Sequence, residues 1–175
     1  TGHMANVVIT GSTRGIGRGL AVEFLKRGHN VVVSSRRQAD VDKAVSELSA
    51  TGPAKVAGTS CDVTRKGDVQ ALWDLAVATF GRVDFWINNA GRATSRYEVH
   101  ELPEEMVHTL VDGNFKGSVF GSQVAISGFR RQGSGALYNM LGGSFDGKRL
   151  TPNMGVYSAT KAADWLLTKY LVLEN

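Results

Sequence analysis

The chain has 175 residues, 42% of them hydrophobic and 21% charged, with a formal charge of +4. That length suits one domain with a sizeable core, and the balance excludes disordered and fibrous classes. The basic residues are scattered, with no run interleaved with aromatics, which argues against nucleic acid as a partner, and no apolar run approaches the roughly 20 residues that span a bilayer.

Thr1-Gly2-His3-Met4 lacks the basic and apolar regions of a signal peptide. Residues 1–4 read as the remnant of an expression tag, and no targeting segment is expected. Ala5–Thr10 is a β-branched strand ending at a glycine. Gly15–Arg27 carries Ile16, Leu20, Phe24 and Leu25 at helical spacing, and Gly28 stops it. Val31–Ser34 reads as a second strand and Val41–Leu48 as an amphipathic helix closed by Thr51-Gly52-Pro53. Lys55–Cys61 is a third strand, Asp68–Phe80 a third helix ended by Gly81, and Val83–Ile87 a fourth strand. Pro103–Phe129 reads as one long helix, against which Gly113, Gly117 and Gly121 count. Gly135–Met140 is a fifth strand, Leu141–Asn153 a glycine-rich loop and Gly155–Leu173 a last helix.

Strands alternating with helices predict an α/β, doubly wound parallel sheet with helices on both faces and right-handed crossovers. Ligands of such sheets bind at the carboxyl ends of the strands, and every candidate motif falls just after one of those ends. The lone Cys61 reads as a small core hydrophobe and leaves no intrachain disulfide. Trp73, Trp86 and Trp165 read as packing residues, and His100 and His108 lack the paired spacing of metal ligands, so no metal is expected.

Gly11-Ser12-Thr13-Arg14-Gly15-Ile16-Gly17 joins the first strand to the first helix. Glycines there permit a tight turn and close backbone approach to a pyrophosphate, and the helix N-terminus offers free amides and partial positive charge. An acid ending the second strand would hold a ribose hydroxyl, but Ser34-Ser35-Arg36-Arg37 has none. Arginine forks onto phosphate, so NADPH is the expected cofactor, with Arg36 its main ligand, Arg37 beside it and Arg14 closing on the same phosphate.

Tyr157 and Lys161 stand four apart, on one face of the last helix. A phenol ordinarily titrates near 10, and an adjacent ammonium is expected to lower that value. Such a tyrosine can protonate a carbonyl oxygen while hydride reaches the carbon.

These pieces, with Cys61-Asp62-Val63, Asn88-Asn89-Ala90-Gly91 and Asn114, resemble the short-chain dehydrogenases/reductases in order and spacing over nearly the whole chain. The resemblance implies a Rossmann-like NAD(P)-binding domain over residues 5–175. It places Asp62 and Val63 at the adenine, and Asn88, Ala90 and Gly91 along the cofactor groove. Tyr157 becomes the acid–base residue, Lys161 also the holder of the nicotinamide ribose, and Asn114 the group orienting Lys161 through a water and a proton relay. The serine that usually joins them stands thirteen residues before the tyrosine, which is Ser144. Yet Asn139-Met140-Leu141-Gly142 lacks the hydroxyls usual at the strand end, so either Ser144 or a backbone amide supplies that bond, with Ser144 favoured. The family continues past this point with further strands, so the C-terminal strands are expected to be missing here. A finer likeness to the chlorophyll b reductase branch rests on Val7–Gly15, Trp86–Gly91 and Asn139-Met140. It implies a small-molecule carbonyl substrate such as a tetrapyrrole formyl group. The alternatives are another hydrophobic aldehyde or ketone, or an NADP(H)-sensing protein without turnover. A homodimer or homotetramer in the cytoplasm or at the thylakoid surface is also implied.

Overall fold

The computed structural model describes residues 2–94 and 96–175, so Thr1 of the tag reading lies outside the described residues. In chain order the elements are β1 (Asn6–Ile9), α1 (Gly15–Lys26), β2 (Asn30–Ser35), α2 (Gln38–Ser49), β3 (Val56–Ser60), α3 (Lys66–Phe80) and β4 (Phe85–Asn88). A 3₁₀ turn (Val99–Glu101), α4 (Glu104–Leu110), a π turn (Val111–Lys116), α5 (Gly117–Gln132), β5 (Ala136–Asn139) and α6 (Gly155–Glu174) follow.

The strands form one parallel sheet in the order β3-β2-β1-β4-β5. Side chains alternate between its faces, which splits the core in two. Val8, Val32 and Trp86 pack with Leu72, Trp73, Val124 and Phe129 from α3 and α5. Val7, Ile9, Val31 and Val33 pack with Ala21, Leu25, Val41 and Leu48 from α1 and α2. Helices therefore cover both faces, and the chain is the doubly wound, Rossmann-like sheet that the alternation implied. Cys61, Trp73 and Trp86 are buried in this core.

The expected long helix is present but not uniform. Pro103 stands just outside it and α4 begins at Glu104. The π turn then adds one widened turn before α5. Gly121, one of the glycines that argued against a helix, and Gly128 are its docking points. A side-chain carbon on Gly121 would lie 1.9 Å from the Asn88 amide, and one on Gly128 would lie 2.0 Å from the Trp73 ring. Backbone contact of that closeness offsets the helical penalty of glycine.

The sheet order reverses between β1 and β4, where the crossovers diverge and open a crevice at the carboxyl ends. Ile9 is in register with Val33 and with Ile87, and Asn88 with Asn139. The segments after these strands consequently emerge along one edge.

Candidate active site

Gly11 and Gly15 have φ of 61° and 58°, in the left-handed region that glycine enters without steric cost. A side chain on Gly11 would come within 2.8 Å of the Ala90 Cα, so the turns after β1 and β4 touch through their backbones. Thr10 and Asn89 lock that contact. The Thr10 hydroxyl accepts from the amides of Asn89 and Ala90 at 3.0 Å each, and the Asn89 side chain donates to the carbonyls of Thr10 and Gly11 at 3.1 and 3.0 Å. Arg14 enters α1 extended, no side chain caps the helix, and no acid occupies its first turn. Its leading amides and the positive end of its dipole face an open cleft.

That cleft has a volume of about 830 Å³, within the usual range for small-molecule sites. Gly11, Thr13, Arg14, Gly15, Ile16 and Arg36 line it, together with Asp62 and Val63 and with Ala90, Gly91 and Arg92. Burial pushes the Asp62 carboxyl up, but its bonds from the Thr64 hydroxyl and amide and the nearby Arg36 charge outweigh that and hold it below the ordinary value.

Four residues expected at the cofactor stand behind or beside the cleft. Ser12 is fully buried, donates to the Ile9 carbonyl at 2.6 Å and accepts the Ser34 amide at 3.0 Å, so it ties β1 to β2. Gly17 is pressed against the Gly11 carbonyl, where a side-chain carbon would approach to 2.4 Å. Asn88 is a buried strut: it accepts from the Trp86 indole at 2.8 Å and donates to Asn139 at 2.8 Å. Arg37 turns away to Asp40 at 3.7 Å.

A second cluster is built beside the cleft by α6, the π turn and the loop after β5. Lys161 is buried; its ammonium donates to the Met140 carbonyl at 2.9 Å and lies 6.0 Å from the centre of the Tyr157 ring. A carbon built on Gly91 would lie 3.8 Å from that ammonium, so Lys161 lies next to a residue that lines the cleft. Asn114 is fully buried in the π turn. It accepts the Arg92 amide at 2.8 Å and donates to the Arg92 carbonyl and the Thr160 hydroxyl at 2.8 and 3.1 Å. It thus ties the turn after β4 to α6, a use that suits the widened turn it occupies.

Two expectations change here. Burial and the charge of Asp164 push the Tyr157 phenol above its ordinary value, so the expected acidification is absent. The ammonium lies over the ring face and spends a hydrogen bond on Met140 instead. Ser144 has φ of 67°, and its hydroxyl donates to the Arg149 carbonyl within its own loop. Gly142, not Ser144, meets the tyrosine: a side-chain carbon there would lie 2.2 Å from the phenol oxygen. Tyr157 also borders a second, narrow pocket with Tyr97 and Val99, apart from the main cleft.

Sequence reading missed the roles of Thr10, Asn89, Met140, Gly142 and Asp164. Thr10 and Asn89 were visible inside quoted motifs, and Asp164 was visible as an acid one turn beyond Lys161. His100 and His108 are exposed and pair with Glu98 and Glu104 at 3.5 and 3.7 Å.

Residues 5–175 match the model of the family described as short chain dehydrogenase. The chain is 41% identical over 172 residues to the chloroplastic chlorophyll(ide) b reductase NOL of Oryza sativa subsp. japonica, covering 97% of this chain and 50% of that one. It is 40% identical over 171 residues to the chloroplastic chlorophyll(ide) b reductase NOL of Arabidopsis thaliana, covering 97% and 49%. The chain spans about half the length of these curated relatives. Among solved structures, an alcohol dehydrogenase from the archaeon Thermococcus sibiricus complexed with 5-hydroxy-NADP superposes with a TM-score of 0.89 at 28% identity, over 99% of this chain and 72% of that one.

Proposed function

This chain belongs to the short-chain dehydrogenase family, and from that premise we propose that it is an NADPH-dependent reductase converting an aldehyde or ketone to an alcohol. One observation carries the reading. The glycine turn, Arg36 and Gly91 border one cleft, and Lys161 lies beside Gly91.

The residues fit a dinucleotide. Left-handed glycines shape the turn, the α1 N-terminus would hold a pyrophosphate, and Asp62 and Val63 would contact the adenine. Arg36 supports NADPH over NADH, because the end of β2 offers a guanidinium and no carboxylate. Arg14 supplies a second positive charge to the same region. When bound, the cofactor supplies the hydride. Tyr157 then donates its phenolic proton to the substrate oxygen. A phenol held above its ordinary value is protonated at neutral pH, as a donor in the reductive direction must be. Lys161, fixed by Met140, presents positive charge beside the site, and Asn114 anchors the turn that carries Gly91 and Arg92.

The substrate oxygen needs a further donor. With the Ser144 hydroxyl committed to Arg149, the main chain around Gly142 fills that role. Ser144→Ala should therefore leave turnover unchanged; a hundred-fold loss would return the role to the hydroxyl. The curated relatives favour a tetrapyrrole formyl group as substrate, since they are chlorophyll(ide) b reductases. Their chloroplast location favours a plastid compartment for this protein too, and no helix among the described residues is long and apolar enough to cross a membrane. Leu166, Tyr170 and Leu173 form an exposed apolar stripe on α6, which supports a homodimer or homotetramer. The test is NADPH oxidation by the protein against a carbonyl panel that includes chlorophyll b. Cofactor binding without turnover on every substrate would favour the sensing alternative.

A further inference from the structure

The last helix carries an acid that the mechanism above leaves unused. Asp164 follows Lys161 by three residues on α6 and is fully buried. Neither of its carboxylate oxygens has a hydrogen-bond partner among the described residues. Stability alone does not ask for a carboxylate there, because an apolar side chain of similar volume would fill the space without the desolvation penalty. The nearest charge is the Lys161 ammonium, 3.9 Å from Oδ2 and itself buried. The titratable groups that act on Asp164 or respond to it are Lys161 and Tyr157, both on its own helix. From α5 the hydroxyl of Ser118 favours the ionised form, and that hydroxyl donates to the Asn114 carbonyl at 2.9 Å. Neither Ser118 nor Asn114 is titratable. Thr168 accepts from Asn139 at 2.9 Å and donates to the main-chain carbonyl of Asp164 at 2.7 Å, not to its carboxylate.

We propose that Asp164 is a positioning residue for the reaction, the buried counter-charge that keeps Lys161 protonated and directed at the Met140 carbonyl, and that through Lys161 it sets the pH range in which Tyr157 works. The inference rests on the carbonyl-reductase reading and deepens it. Burial draws the Lys161 ammonium down and Asp164 draws it back up. Burial in turn pushes the Asp164 carboxyl up to about 6, against the pull of Lys161. In mild acid the counter-charge is therefore lost, and the ammonium is left buried without it. The same negative charge raises the phenol, so removing it lets Tyr157 ionise at lower pH.

The experiment compares the wild type with Asp164→Asn in pH profiles of kcat for NADPH-dependent reduction. The expected wild-type profile has an acid limb near pH 6, where Asp164 gains its proton. Asp164→Asn should lack that limb, and its alkaline limb should lie at lower pH. A structural role would scale kcat and leave the limbs in place. Two readouts need no turnover. In wild-type protein carrying ¹³C-labelled aspartate, one carboxyl should titrate near 6 rather than near the ordinary 3.8. The melting temperature gives the second. A carboxyl raised in the folded state destabilises the fold above its folded pKa, and that cost is relieved as pH falls from about 6 toward 3.8. The melting temperature of the wild type relative to the variant should therefore rise as pH falls across that window. All aspartates titrating in the ordinary range, or identical limbs in an active pair, would overturn the role of Asp164 alone. A wild type that binds NADPH but reduces nothing overturns the carbonyl-reductase reading and this inference with it.

Discussion

The glycine-turn side of the cleft and the neighbouring Tyr157 cluster are built on opposite terms. Around the glycine turn most polar groups are matched: Ser12 joins two strands, Thr10 joins two turns, and Asn89 serves two carbonyls. What stays unpaired there, besides the buried Ser34 hydroxyl, is the leading edge of a helix, a group that an anion satisfies. Around Tyr157 the balance is reversed. A buried ammonium, a buried carboxylate without hydrogen bonds and a phenol raised by burial crowd within two turns of α6. The first region is largely satisfied internally, whereas the second holds uncompensated polarity where the proposed chemistry would use it.

The sharpest way to break that contrast is to remove the phenol. Tyr157→Phe should lower kcat by about 10²–10⁴-fold, the ordinary worth of a positioned acid, while NADPH affinity measured by fluorescence titration stays near that of the wild type. Equal losses in both would mean that the two regions are one unit. Gly142→Ala attacks the same cluster without touching a reacting group. Its new methyl would overlap the phenol oxygen, since an ideal carbon there lies 2.2 Å away. Displacing the phenol by about an ångström should cost roughly 10²-fold in kcat. Full activity would mean that the phenol works from another position.

The contrast also explains what was legible in the sequence. The strand–helix alternation, the sheet and the glycine turn follow from local spacing, because Gly11, Gly15 and the start of α1 act within a few residues of one another. By local geometry the proposed catalytic cluster was legible only as a pair, Tyr157 and Lys161 one turn apart on a helix, and Asn114 and Gly91 entered through the family resemblance. What surrounds the pair comes from far along the chain: Gly91 after β4, Asn114 in the π turn and Met140 after β5. Spacing carries no signal for such contacts. The expected acidification of Tyr157 failed for the same reason, since it counted one neighbour and could not see Asp164 or the burial of the phenol. The glycines of α5 misled in the other direction: a helix-weakening residue is tolerated where another side chain needs its space.

The next effect tests the glycine-turn side. Arg36→Asp should reverse the preference for NADPH over NADH, by roughly 10–100-fold in the ratio of kcat/KM, as expected for one or two lost bonds to a charged group. Unchanged preference would remove Arg36 from the phosphate site. Ser12→Ala should act on folding rather than on cofactor choice. It strips the Ser34 amide of its buried acceptor and should cost about 1–3 kcal/mol of stability by denaturant unfolding, with NADPH preference intact.

The smallest effect is expected at Arg37, and it separates position from composition. Arg36 and Arg37 are equivalent by sequence, two guanidiniums at the end of β2, and both were candidates for the same phosphate. The fold divides them. Arg36 borders the cleft, while Arg37 precedes α2 and points to Asp40 at 3.7 Å, with its side chain 78% exposed. An ion pair that exposed contributes within about 0.5 kcal/mol, and its remaining field at the cleft is screened by solvent. Arg37→Ala should therefore leave the melting temperature and the NADPH-to-NADH ratio of kcat/KM within error of the wild type, under salt conditions where Arg36→Asp reverses that ratio. A matching loss at both positions would mean that the phosphate reads the summed charge of the pair, and the preference would then depend steeply on ionic strength.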